Sequence, residues 1–318
     1  MDVLKKLGEN ALIPVVVIDD VNDALKTAQA LLSGGIDVIE ITLRTEAALE
    51  SIRIIAQSCP DILVGAGTVM DCKQAQRAVD MGARFIVSPG FDEDLVSWCV
   101  DHDVATTPGC VTPTEIMAAL KYNLNVLKFF PAGVYGGLSA MKGLSGPFPN
   151  VRFIPTGGIN MENIAEFSAA PFVHTVGGSW VCARKDILEN NFERITALCR
   201  EAVNNALGFQ FSHMGINAAD KNDAQRIAAV FGDIFGFSAK EGNSSFFSGV
   251  SIEIVKGEGR GVNGHIAIST NHIERAIAFL QKKGYEMNQS TGKMKNGRLT
   301  AIYLEQEIAG FSVHLVQK

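Results

Sequence analysis

Eight short β-rich runs, each followed by a helix-patterned stretch, predict an α/β fold for residues 1–207: a (β/α)8 barrel, the TIM-barrel architecture. A weaker repeat in residues 209–318 predicts a second, smaller α+β domain of two βαβββ units. Composition marks the junction. All six cysteines (59, 72, 99, 110, 182 and 199) and both tryptophans precede residue 200, which puts the boundary near Gly208. A length of 318 residues also favours two domains.

The expected barrel strands are 12–19, 37–43, 62–69, 84–89, 104–108, 125–131, 152–156 and 172–177. Amphipathic stretches at 22–32, 46–57, 72–81 and 113–120 supply helices between them. No Gly-x-Gly-x-x-Gly turn follows the first strand, so a closed barrel is preferred to an open doubly wound sheet.

Bulk properties remove several function classes. A net charge of −6 gives no electrostatic basis for binding nucleic acid or an anionic membrane. No apolar run has the length of a membrane span, and the start lacks a signal-peptide core. Cysteines without Cys-x-x-Cys spacing, set in apolar contexts, suggest reduced core thiols and a cytoplasmic protein.

Lys128 carries the chemistry. It lies in the apolar run Asn125-Val-Leu-Lys-Phe-Phe-Pro-Ala132, where strand alternation groups it with Val126 and Phe130 and turns Leu127 and Phe129 the other way. A buried ammonium is costly unless paired or deprotonated, and a neutral amine is the nucleophile that forms Schiff bases. A snorkelling edge-strand lysine is the plainer alternative for this run alone. The other strands argue against it, because polar residues recur at their C-terminal ends, where barrels of this type gather active groups. Glu40 lies on one face of the second strand with Val38 and Thr42, and Arg44 follows; the third strand ends in Gly65-Ala-Gly-Thr68. The seventh ends in Thr156-Gly-Gly158 and the eighth in Gly177-Gly-Ser179. Glycine pairs there, with a helix expected to begin near Asn160, suit a phosphate.

These segments resemble a known family. Val38-Ile-Glu-Ile-Thr-Leu-Arg-Thr45, Val64-Gly-Ala-Gly-Thr-Val69, Ser88-Pro-Gly90, Lys128-Phe-Phe-Pro-Ala132, Arg152-Phe-Ile-Pro-Thr-Gly-Gly-Ile159 and Gly177-Gly-Ser-Trp180 are similar, in order, to the 2-keto-3-deoxy-6-phosphogluconate aldolases, which also act on 4-hydroxy-2-oxoglutarate. The resemblance implies a class I aldolase without metal or other cofactor, usually a homotrimer, splitting a phosphorylated keto acid into pyruvate and glyceraldehyde 3-phosphate. It implies Lys128 as the Schiff-base lysine, Glu40 as general acid/base, Arg44 on the pyruvyl carboxylate and Thr68 in the same pocket. It further implies Gly157, Gly158, Gly178 and Ser179 at the phosphate, with Thr156 and Pro89 lining the mouth. Gly133 departs from the family, whose members often have glutamate after Phe-Phe-Pro-Ala. The galactonate stereoisomer remains an alternative substrate, as does a barrel that binds phosphosugars without aldolase activity.

In residues 209–318, His213-Met-Gly-Ile-Asn and His265-Ile-Ala-Ile-Ser each open a unit, and helices at 222–235 and 273–283 follow. Each helix ends in glycine plus an aromatic residue (Gly236-Phe237, Gly284-Tyr285), a C-cap signature. Runs at 250–255 and 311–316 close the units. This layout resembles the vicinal-oxygen-chelate (glyoxalase-like) superfamily. The resemblance implies His213, Glu253, His265 and His314 as metal ligands, although His314 stands where glutamate is usual. Three imidazoles and a carboxylate suit zinc, nickel, iron or manganese. The alternatives are a second, metal-dependent activity or a ligand-binding or structural module only.

Overall fold

Alternating apolar runs and amphipathic helices cannot bury their faces singly, and here they assemble into two compact units. The computed structural model describes residues 2–318; one unit ends at Ala206 and the other runs from Leu207 to Lys318. The division falls one residue before the expected end of the first domain. Gly208 follows with a left-handed φ of 56°.

The first unit is built on eight strands: β1 (Leu12–Val16), β2 (Val38–Thr42), β3 (Leu63–Gly67), β4 (Phe85–Val87), β5 (Ala105–Thr107), β6 (Val126–Phe129), β7 (Arg152–Pro155) and β8 (Val176–Gly178). They run parallel as β5-β4-β3-β2-β1-β8 and as the pair β6-β7. Single bridges, Gly109–Lys128 on one side and Thr156–Gly177 on the other, close the circle into a parallel α/β barrel. Every residue of β2 is buried, as expected of a strand covered on both faces by lumen and helices. The strands are mostly shorter than expected. The run after Val16, for example, leaves the hydrogen-bonded ladder to form a mouth loop, and β8 starts four residues later than its apolar run suggested.

The helices follow their local signals. Asp71 and Asp92 cap the starts of Cys72–Asp80 and Glu93–Asp101 by accepting backbone N–H bonds. Thr112 and Glu115 form a reciprocal capping box on Pro113–Lys121, with Pro113 in the first turn. The helix expected near Asn160 begins only at Ile164 and has six residues, because Asn160 instead accepts the N–H groups of Glu162 and Asn163 in a turn. That removes a helix end as a source of positive field at the late glycines. All six thiols are unpaired; burial pushes Cys110 and Cys199 up to about 12, which suits inert packing.

The second unit contains β9 (Gln210–Asn217), β10 (Ala239–Glu241), β11 (Ser245–Ser248), β12 (Ile252–Val255), β13 (His265–Thr270), β14 (Met287–Lys295), β15 (Arg298–Ile308) and β16 (Phe311–Gln317). Their order in one mixed sheet is β10-β11-β12-β9-β13-β16-β15-β14. Helix Lys221–Phe235 follows β9 and helix Ile273–Lys282 follows β13, so β-α-β-β-β occurs twice. The two copies meet where β9 pairs antiparallel with β13. Within each copy the first and last strands lie side by side and parallel, which brings the middles of four strands together. Gly236 ends the first helix with a φ of 70°, the left-handed cap its position called for. Ala224, Ala228, Phe246 and Ile254 form a small core beneath that helix.

Candidate active site

Lys128 projects from β6 and is buried, and its Nζ lies 3.5 Å from Oε1 of Glu40 on β2. That oxygen makes no hydrogen bond to protein among the described residues, so the pair is an ion contact that leaves the amine free to move. Burial of one charge is tolerated because the other lies beside it. The Phe130 ring sits 5.3 Å from the ammonium and adds a cation–π contact. Gly67 makes room for the acid, since a Cβ there would overlap the Glu40 carboxylate. A glycine in β3 thus serves the catalytic acid by its absence of side chain.

Above this pair opens a cavity of about 440 Å³ lined by Arg44, Lys128, Phe130, Thr156, Gly157, Gly158, Gly178 and Ser179, among others. Arg44 Nε donates to Thr68 Oγ1 over 3.2 Å, and Thr68 is held at a φ of 58° where the chain leaves β3. Thr68 therefore reaches the site through Arg44. Pro89 is not among the lining residues; its carbonyl packs against Gly109, whose neighbourhood carries the bridge to Lys128. Gly157 and Gly158 are both left-handed, at 84° and 85°, the first half-buried and the second exposed. Gly178 has a different reason to be glycine, because a Cβ would run into the Trp180 ring. Gly177 similarly gives space to Thr156 Oγ1.

Sequence patterning missed one charged pair on this wall. Arg184 lines the cavity and holds Asp19 through two bonds of 2.6 and 2.7 Å. The Arg184 hydrogen bond holds the Asp19 carboxyl below its ordinary range, against a smaller opposing effect of burial. Its only signal was an arginine five residues after Ser179.

In the second unit, the four expected ligands converge. His213, His265 and His314 present donor atoms that all lie within 4.8 Å of one another. Glu253 Oε2 lies 3.2 Å from His265 Nε2 and 3.1 Å from His213 Nε2, the latter out of line for a hydrogen bond. Neither nitrogen of buried His314 has a hydrogen-bond partner among the described residues. Burial raises the Glu253 carboxyl, but His213, His265 and Ser245 outweigh it and hold the group well below its usual range. Burial, then the other two imidazoles, push His314 down to about 3. Ligands about 2 Å from a tetrahedral zinc stand about 3.3 Å apart, which the Glu253 contacts match, whereas the imidazole donors lie within a looser 4.8 Å and would have to draw together. By the chemistry of their donors, these residues could hold a divalent ion.

Comparison with known proteins bears on the first unit. The 2-dehydro-3-deoxy-phosphogluconate aldolase of Treponema pallidum is 44% identical over 201 residues, which span 63% of this chain and 96% of that protein. The KHG/KDPG aldolase of Escherichia coli K12 is 40% identical over 200 residues, 63% of this chain and 94% of its own. Among solved structures, the KDPG aldolase of Legionella pneumophila, with pyruvate captured at low pH as a covalent carbinolamine, superposes with a TM-score of 0.62 at 39% identity. It covers 64% of this chain and 98% of its own. Residues 3–198 match the KDPG and KHG aldolase family, and the chain belongs to that family of lyases.

Proposed function

We propose that the first unit cleaves 2-keto-3-deoxy-6-phosphogluconate to pyruvate and glyceraldehyde 3-phosphate, and 4-hydroxy-2-oxoglutarate to pyruvate and glyoxylate, through a Schiff base on Lys128. The observation that carries this is the buried amine beside the Glu40 carboxylate under an open cavity. Glu40 takes a proton from the Lys128 ammonium, the freed amine attacks the C2 carbonyl, and Glu40 returns that proton to the departing hydroxyl, so that the carbinolamine loses water and becomes an iminium. The C3–C4 bond then breaks as Glu40, through a water, takes the C4 hydroxyl proton; the aldehyde leaves and the electron pair remains as an enamine. Glu40 returns a proton to C3, and hydrolysis frees pyruvate and the amine. Arg44 offers a planar fork to the substrate carboxylate, with Thr68 hydrogen-bonded behind it. Gly157, Gly158, Gly178 and Ser179 receive the phosphate and Thr156 shapes the mouth, while Pro89, outside the lining, acts only through its packing on Gly109. The pyruvate carbinolamine of the Legionella relative supports the same covalent chemistry here.

Pyruvate plus borohydride should label Lys128, and a Lys128→Ala variant should take up none; full labelling of that variant would end the assignment. Pyruvate release from the gluconate and galactonate phosphates decides the stereoisomer. A homotrimer is the expected assembly, checked by sedimentation.

The second unit supports a further reading: its repeated βαβββ layout and the approach of His213, Glu253, His265 and His314 to one another are what a glyoxalase-like metal site would require. His213, Glu253, His265 and His314 would hold zinc, nickel, iron or manganese, and such an ion polarises a bound oxygen. One equivalent of metal, lost in His213→Ala with aldolase activity intact, is the expected result; a metal-free protein would make the unit structural.

A further inference from the structure

Three successive carbonyls in the glycine turn after β7 are taken by donors. Ala132 N donates to Thr156 O over 2.8 Å and Gly133 N to Gly157 O over 2.9 Å, which continues the β6–β7 pairing past the strand ends. The third, Gly158 O, accepts from a side chain, Asn163 Nδ2, over 2.9 Å. By contrast, the N–H groups of Gly158 and Ile159 donate to no acceptor among the described residues, and both residues line the cavity. A turn whose carbonyls are bound and whose N–H groups are free offers donors to an anion.

Asn163 gives up another role to make its bond. It is the N-cap of helix Ile164–Ala169, where an asparagine ordinarily accepts an N–H of the first turn, yet its side chain makes no such bond. It turns back instead: Oδ1 accepts from Asn160 N over 2.9 Å while Nδ2 reaches Gly158 O. These partners fix the amide's orientation, because a flipped side chain would set oxygen against a carbonyl and nitrogen against an N–H. Asn160 completes the bracket, its own Oδ1 accepting from Asn163 N over 3.2 Å. On the other side Gly158 meets Gly133 backbone to backbone, and a Cβ on Gly158 would stand 2.9 Å from Gly133 Cα. Gly158 is thus held between a close backbone contact and one side-chain amide.

We propose that Asn163 is the positioning residue of the phosphate turn: by holding Gly158 O, it keeps the Gly158 and Ile159 N–H groups directed at the substrate phosphate. Asn163 is not among the residues that line the cavity, so it acts through the turn and not on the substrate. Ile159 joins the binding residues through its backbone alone. This rests on the phosphate reading of the first unit given above.

The test compares 2-keto-3-deoxy-6-phosphogluconate with 2-keto-3-deoxygluconate, the same carbon chain without phosphate, on the full-length protein. Asn163→Ala should raise KM for the phosphorylated acid about tenfold, with its kcat and both constants for the unphosphorylated acid changed less than about twofold. Asn163→Asp separates positioning from capping. Aspartate caps a helix as well as asparagine does and can accept from Asn160 N, but its carboxylate has no hydrogen to give Gly158 O. It should raise the phosphorylated KM at least as far as alanine does, while borohydride still traps pyruvate on Lys128. Wild-type KM in either variant, or an equal rise for both acids, overturns this proposal alone. A wild-type enzyme with the same KM for both acids overturns the phosphate reading together with it.

Discussion

The barrel buries a lysine beside a glutamate, whereas the second unit sets a half-buried glutamate among three histidines. In the first cluster the two charges compensate each other at 3.5 Å without a hydrogen bond on Glu40 Oε1. The amine can therefore move to a substrate carbon while the acid stays nearby to handle protons. In the second, one carboxylate meets two imidazoles and the third offers both nitrogens to no protein partner among the described residues. A buried polar atom left unpaired costs about 1–3 kcal/mol. The difference separates a site complete in its own side chains from one whose donors the proposed cation would satisfy.

The largest expected effect tests the self-contained cluster. Glu40→Gln keeps the shape but removes the proton acceptor, so kcat should fall about 10²- to 10⁴-fold while borohydride still traps pyruvate on Lys128. A loss below tenfold would move the acid/base role elsewhere. Gly67→Ala attacks the same cluster sterically: its Cβ would overlap the Glu40 carboxylate, and displacement of that order costs about 100-fold. Steady-state kinetics with a melting curve separates this from simple unfolding.

These tests also show which parts of the site were legible in the sequence. Lys128 and Glu40 were, because a charge inside an apolar strand conflicts with its burial and period-2 alternation names the face it shares. The eight-fold alternation likewise predicted parallel strands, and β2 lies buried over its full length. Packing contacts were not legible. Gly178 reads as a phosphate turn, yet the Trp180 ring also leaves it no room for a side chain, a contact made only once the chain has turned back on itself. The helix start at Asn160 misled because an asparagine side chain satisfies either a helix end or a local turn, and here it made the turn. In the second unit the repeated histidines and glycine caps revealed the duplication. β10, exposed at all three residues, has no apolar face to betray it.

The second cluster is tested by replacing its unpartnered ligand. His314→Phe removes two unsatisfied buried nitrogens and keeps a ring for Tyr303 to stack on, so the metal-free protein should melt no lower than wild type. With zinc at 100 times its dissociation constant, wild type should gain about 2.7 kcal/mol and the variant far less. Equal gains would show that His314 is no ligand. Both tryptophans lie in the first unit, so their fluorescence follows the barrel while circular dichroism follows the whole chain.

The smallest effect concerns the pair on the cavity wall. Arg184 is mostly exposed and already engaged by Asp19, so its share in holding a phosphate is limited by solvent and by that competition. Arg184→Ala should raise KM about threefold for the phosphorylated acid and leave 4-hydroxy-2-oxoglutarate, which has no phosphate, unchanged. Asp19→Asn should lower the first KM and again spare the second. The Asp19 carboxyl is held below its ordinary value by the Arg184 hydrogen bond, so the pair persists above the usual carboxylate range and is lost as pH falls through the lowered value. The wild-type KM for the phosphorylated acid should therefore stay flat from neutrality down to about pH 5, apart from titration of the phosphate itself. Equal changes in KM for both substrates would place Arg184 at the shared keto-acid end of the cavity and not at the phosphate.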